Sequence, residues 1–102
     1  MNIAKEEIFG PVMPILTFEN EEKVIKEANN KEYGLASYLF CNDYKSIINI
    51  SESLEFGTVS VNGPQFARNL PHGWIKESGI GKDCSVYSLE EYHYLKRISL
   101  KT

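Results

Sequence analysis

Cys84 lies close to Lys82 and upstream of His93, a set whose types could furnish an activated thiolate. A nearby cation lowers a thiol's pKa, and an imidazole can take its proton. Nothing in the pattern supplies an oxyanion hole or orients that imidazole, so no catalytic residue is assigned on this basis. Gly79-Ile80-Gly81-Lys82 superficially suggests phosphate binding. A P-loop, however, needs glycine where Lys76 stands and Ser or Thr where Asp83 stands. As a dinucleotide fingerprint it fails as well, because Cys84 occupies the third glycine position and no strand leads into it. The two cysteines, Cys41 and Cys84, form no CxxC pair and no zinc pattern with histidine, so no metal site is expected and reduced thiols are the simplest reading.

The elements that would position these groups can be read from periodicity. Ile15-Leu16-Thr17-Phe18 is short, apolar and strand-favouring, with Pro14 at its front, which predicts a strand near 12 to 18. Asn20 can cap a helix whose first turn carries Glu21 and Glu22 and whose apolar face is Val24, Ile25 and Ala28, ending near Asn29 and Asn30. Leu35 to Phe40 is apolar at nearly every position, as a central strand covered on both faces would be. Asp43 offers a second cap, Ile47, Ile50 and Leu54 share a helical face, and Gly57 closes that helix. Thr58-Val59-Ser60-Val61 then reads as a third strand.

Strand, helix, strand, helix, strand with tight connections predicts an α/β fold, a parallel βαβαβ unit. Ligands in such sheets gather outside the carboxyl ends of the strands, which directs attention to the segment leaving Val61. Gly63, Pro64, Pro71, Gly73, Gly79 and Gly81 mark a long irregular excursion from Asn62 to Asp83. A short helix around Ser85 to Tyr92 follows, and Arg97 to Lys101 alternates polar and apolar as a half-buried strand does.

Composition bounds the rest. The chain has 102 residues, 42% hydrophobic and 25% charged, which predicts one domain with a single packed core rather than disorder. A net charge of −3, with scattered Lys and Arg, excludes a basic stripe for nucleic acid. No apolar run approaches a membrane span, and the first residues lack a signal peptide's apolar region, so a cytoplasmic location is expected.

Four stretches together resemble one family. Glu6-Glu7-Ile8-Phe9-Gly10-Pro11-Val12 is similar to the E-E-I-F-G-P-V motif of aldehyde dehydrogenases, and Ala28-Asn29-Asn30 with Tyr33-Gly34-Leu35-Ala36 resembles their A-N-N-x-x-Y-G-L-A segment. Gly57-Thr58-Val59-Ser60-Val61-Asn62 matches their G-T-V-x-V-N, and Pro71 to Lys82 resembles P-F-G-G-x-K-x-S-G-x-G-R. His72 stands where phenylalanine is usual and Trp74 where the second glycine is usual, which puts the local backbone and the substrate in question.

The resemblance implies the C-terminal part of an NAD- or NADP-dependent enzyme that oxidises aldehydes to acids. Residues 1–93 would be part of its catalytic domain and residues 94–102 its oligomerisation strand. The family's cysteine nucleophile and glutamate base lie upstream of E-E-I-F-G-P-V, so the chain is expected to be inactive alone. By the resemblance, Glu7 would accept hydrogen bonds from the nicotinamide ribose and Phe9 would pack beside the nicotinamide. The alternative is a solvated charge and a core aromatic. The loop from Gly63 to His72 corresponds to the substrate-facing loop, where Phe66, Arg68 and His72 could shape a pocket. Arg68 could clamp a substrate carboxylate or be a surface arginine.

One charge-assisted hydrogen bond contributes about 1.5 to 3 kcal/mol, whereas micromolar affinity needs about 8 kcal/mol. The isolated chain is therefore expected to hold no cofactor. Two partner readings accompany this: self-association through residues 94–102, or union with a separate N-terminal part of a split enzyme.

Overall fold

The computed structural model describes residue 3 and residues 5–101. Helix α1, Glu21–Asn29, starts where Asn20, in extended conformation, accepts a hydrogen bond from the Lys23 amide at 2.9 Å. Glu21 and Glu22 stand at the positive end of its dipole and Lys26 at the negative end. Helix α2, Tyr44–Ser53, begins in the same way, with the Asp43 carboxylate accepting from the Ser46 amide at 2.8 Å. Its Ile47, Ile50 and Leu54 lie on the inward face, and Ile50 is buried. The Ser46 hydroxyl donates to Glu21, tying the start of one helix to that of the other.

Between and after the helices run β1 (Tyr33–Gly34), β2 (Ala36–Leu39) and β3 (Thr58–Val61). Strands β2 and β3 are parallel, with Ala36 opposite Thr58 and Leu39 opposite Val61. A crossover through α2 joins them, which is the βαβ arrangement that parallel pairing requires. The α/β class is thus the observed one. At the exit of β3, Asn62 takes a left-handed backbone with φ 57°. Its side chain accepts from the Cys41 amide at 3.0 Å and donates to the Cys41 carbonyl at 2.9 Å, closing the mouth of the strand pair. Asn is among the few residues that adopt this conformation at modest cost.

Several expectations are corrected. Residues 12 to 18 and 97 to 101 form no strand; neither segment finds a ladder partner within the described residues, and a strand is held by its ladder. The βαβαβ unit is therefore represented by its second half. Strand β2 is not covered on both faces, because its burial alternates and Tyr38 is 60% exposed. Gly57 does not close α2, which ends at Ser53 with Leu54 as its cap. Gly57 is required for a different reason: a Cβ there would sit 2.0 Å from the Gly73 carbonyl oxygen.

The excursion from Asn62 to Asp83 is more regular than its punctuation suggests. It contributes β4 (His72–Gly73), β5 (Ile75–Lys76) and β6 (Lys82–Asp83), with β4 antiparallel to β6 and β5 antiparallel to β1. A 3₁₀ helix, Val86–Tyr92, follows where a short helix was expected.

The single packed core expected of a domain this long is not built. Among the described residues only Gly34, Ile50 and Ser60 are buried, while Phe9, Met13, Ile15, Leu95 and Leu100 are each more than three-quarters exposed. The molecule extends 69 × 33 × 23 Å with a radius of gyration of 18.4 Å, against about 13 Å for a compact domain of similar length. Among the described residues no helix is long and apolar enough to cross a membrane.

Two outcomes follow from the local chemistry. Replacing Asn62 by Ala should lower stability by about 2 kcal/mol, through two lost hydrogen bonds and a strained left-handed residue. Asn62→Gly should cost roughly half as much, because glycine removes the strain; urea denaturation of both variants checks this. The Asp43 carboxyl is held below its ordinary value of 3.8, chiefly by the hydrogen bond from the Ser46 amide. Its capping contribution should therefore be complete above that value and fall away as the pH drops through the depressed one. Amide exchange in the first turn of α2 followed on acidification measures it, and Asp43→Asn should flatten that dependence.

Candidate functional site

The loop leaving β3 folds back because Asn62 and Gly63 both have positive φ, 57° and 138°. Its return places Phe66 and Leu70 against the start of β3. Together with Thr58, Val59, Pro71 and His72 they line a recess of about 270 Å³. This recess lies along the first half of β3, not beyond the carboxyl ends of the strands where the topology alone would put it. The physical reason is the reversal at Asn62 and Gly63, which carries the chain back along the sheet.

The recess is largely apolar, with Phe66 74% exposed on its wall. At its edge the His72 ring is held by Asp83, with Nδ1 to Oδ1 at 2.8 Å. The two residues are direct cross-strand partners in the β4–β6 pair. Trp74 meets the His72 ring edge-on, with ring centroids 5.7 Å apart and an interplanar angle of 68°. The Thr58 hydroxyl is buried without a hydrogen-bond partner, the one such side-chain atom among the described residues.

Of the residues singled out in the sequence, Phe66 and His72 are brought together here. Arg68 is exposed and does not line the recess; its main-chain carbonyl instead accepts from the Ser85 amide at 2.9 Å, pinning the loop to the start of the 3₁₀ helix. Glu7 is exposed and Phe9 is 94% exposed, both in the N-terminal segment and neither at the recess. Cys41 and Cys84 are both free thiols. Cys84 has φ 58° in a tight turn with Ser85 at 57°, a backbone role that its sequence position does not suggest.

The Trp74 substitution does not force the strain that its side chain would suffer in a left-handed backbone, because that conformation occurs elsewhere. Gly79 has φ 142°, and a Cβ on it would lie 3.5 Å from the Trp74 ring. Lys76 has φ 56° and is held by other means: its ammonium donates to the Asn29 carbonyl at 2.7 Å and pairs with Glu55 at 2.7 Å. Gly81, at φ 106°, leaves room for the Glu91 carboxylate, which accepts from the Lys82 amide at 2.7 Å and docks the 3₁₀ helix on β6.

Sequence reasoning missed Asp83, Glu91 and the Lys76 cluster. The signal that could have found Asp83 is the turn-rich stretch between Pro71 and Gly81, which pairs β4 with β6 and sets His72 opposite Asp83. Two-residue strands leave too little periodicity to be read in advance.

The model of the aldehyde dehydrogenase family matches residues 1–98. The chain is 42% identical over 99 residues to the NADP-dependent succinate-semialdehyde dehydrogenase of Saccharomyces cerevisiae, covering 96% of this chain and 20% of that protein. It is 45% identical over 102 residues to retinaldehyde dehydrogenase 3 of Rattus norvegicus, over 99% of this chain and 20% of the relative. Among solved structures, a P. syringae indole-3-acetaldehyde dehydrogenase variant in complex with NAD+ superposes with a TM-score of 0.88 at 38% identity, over 94% of this chain and 20% of that one. The chain thus spans about a fifth of the length of the relatives it matches. Matched over residues 1–98 by the family's model and over 96% of its length by a relative 42% identical to it, the chain belongs to the aldehyde dehydrogenase family.

Proposed function

We propose that this chain acts as the C-terminal segment of an NAD- or NADP-dependent aldehyde dehydrogenase and does not oxidise aldehydes alone. The observation that carries this reading is the match over nearly all of the chain to about a fifth of each relative. The thin core supports it. Apolar residues on the open side of the sheet and on both terminal segments have no cover among the described residues, as expected of a piece shaped to pack on a larger body. Residues 1–93 form part of the catalytic domain in this reading, and residues 94–102 the oligomerisation strand. The two free thiols fit a reducing, cytoplasmic compartment.

The side chains present suit a nicotinamide nucleotide. Glu7 offers an exposed carboxylate able to accept from a ribose diol, and Phe9 an uncovered aromatic face. The nucleotide, when bound, supplies the hydride acceptor. Glu7 orients the ribose and Phe9 excludes water from one side, while Phe66 and His72 shape the substrate end, with Arg68 on the same loop. These groups bind and orient; a nucleophile and a base must come from elsewhere in the enzyme. The isolated chain lacks the contacts needed to hold the nucleotide.

A second reading, self-association, is favoured by the tail itself: Leu95 and Leu100 are almost wholly exposed and Ile98 is 74% exposed, on an extended segment without a ladder partner among the described residues. Both readings allow a homo-oligomer, and the first also allows a split enzyme completed by a separate N-terminal part.

The pure chain mixed with NAD+ or NADP+ and a panel of aldehydes should give no reduced nucleotide. Turnover that disappears in Cys84→Ser would make Cys84 a nucleophile and overturn this account. Co-expression with the N-terminal part of a relative should restore activity, and in that complex Glu7→Gln should raise the nucleotide KM roughly tenfold to a hundredfold. Light scattering after size exclusion should show a defined oligomer that deletion of residues 94–102 dissolves; a monomer unaffected by the deletion would reject the tail's role.

A further inference from the structure

Among the described residues His72 is the only titratable one lining the recess, and its ring is engaged on two sides. Its Nδ1 lies 2.8 Å from Asp83 Oδ1, its ring is braced edge-on by Trp74, and its main chain is fixed opposite Asp83 in the β4–β6 pair. An ionised carboxylate can only accept hydrogen bonds. In the neutral imidazole, Nδ1 must then carry the proton and Nε2 the lone pair. The ring nitrogen left for a ligand is an acceptor, backed by a negative charge.

The rest of the recess carries no charge among the described residues. Phe66, Leu70, Pro71 and Val59 are apolar, Thr58 and Gln65 are uncharged groups that can donate or accept, and among the described residues neither Arg68 nor any other cation lines it. We propose that His72, oriented by Asp83, is a specificity-determining residue that receives the hydrogen-bond-donating end of a substrate, an ammonium or a hydroxyl, in the Phe66 recess. Asp83 is the positioning residue. At neutral His72 a carboxylate-ended substrate is disfavoured, since it would set one acceptor against another. This inference rests on the reading of the recess as the substrate end of the cleft.

The test uses the full chain labelled with nitrogen-15, at a pH where both imidazoles are neutral. Long-range proton–nitrogen correlation should show His72 as the Nδ1–H tautomer, with exposed His93 as an in-chain reference for the ordinary Nε2–H preference. Titration with propylammonium, propanol, propionitrile and propionate should shift Phe66 and Leu70 signals. The two donors should bind roughly threefold to tenfold more tightly than propionitrile, and propionate most weakly, with the His72 Nε2 resonance following the donors alone. Propylammonium against propanol separates charge from hydrogen bonding. His72→Phe should abolish the ranking but keep the Phe66 and Leu70 shifts, and Asp83→Asn should release the tautomer.

An Nε2–H tautomer at His72, or equal binding of all four probes, overturns the inference while leaving the recess intact. If no probe moves Phe66 or Leu70, the recess reading fails and the inference with it. Both measurements are made on the unmodified chain, so neither depends on a variant folding.

Discussion

The chain is held together by a polar knot at the C-terminus of α1. The Asn29 side chain donates to the last carbonyl of α2, Ser53, at 2.7 Å and accepts from the Glu55 amide at 2.8 Å. Its own carbonyl receives the Lys76 ammonium, which also pairs with Glu55. A cation at a helix C-terminus is favourable on its own account, and here it arrives from β5, which pairs with β1. One cluster therefore joins both helices to the returning loop. With Ile50 the one buried apolar side chain among the described residues, such cross-links position the sheet where a packed core ordinarily would.

That economy explains the left-handed residues. Lys76 keeps φ 56° because its ammonium is anchored at two points, and Asn62 keeps 57° because its amide is satisfied in both directions by Cys41. Each local cost of roughly 1 to 2 kcal/mol is offset by bonds that exist only in that conformation. The same two residues frame the recess: Asn62 reverses the chain into the loop, and Lys76 fixes the stretch that carries His72 and Trp74 back past Gly57. The close approach of Gly57 to the Gly73 carbonyl is a consequence, and it leaves no space for a side chain there.

The open apolar surface is the other face of this design. Residues 12 to 18 and 97 to 101 have the composition of strands yet find no ladder partner among the described residues, and β2 half-buries Ser37 and Leu39 while leaving Ala36 and Tyr38 exposed. Strand propensity reflects side chains packed on a pleated surface. With no neighbouring strand among the described residues, the propensity is present and the strand is not.

Much of what acts at short range is written in the sequence. The two helices and their caps at Asn20 and Asp43, the β2–β3 pair and the 3₁₀ helix were legible, because capping and periodicity act over a few residues. Family membership was legible from four motifs in register. Phe66 and His72 were named as pocket residues by resemblance, but their meeting was not visible. The tertiary structure alone decided that His72 faces Asp83, that the recess opens beside the start of β3, and that Arg68 contributes a carbonyl to the loop's anchorage rather than a charge to the recess. Those facts depend on where a loop turned by Asn62 and Gly63 comes to rest. That in turn depends on contacts between residues far apart in the chain, which no local pattern encodes.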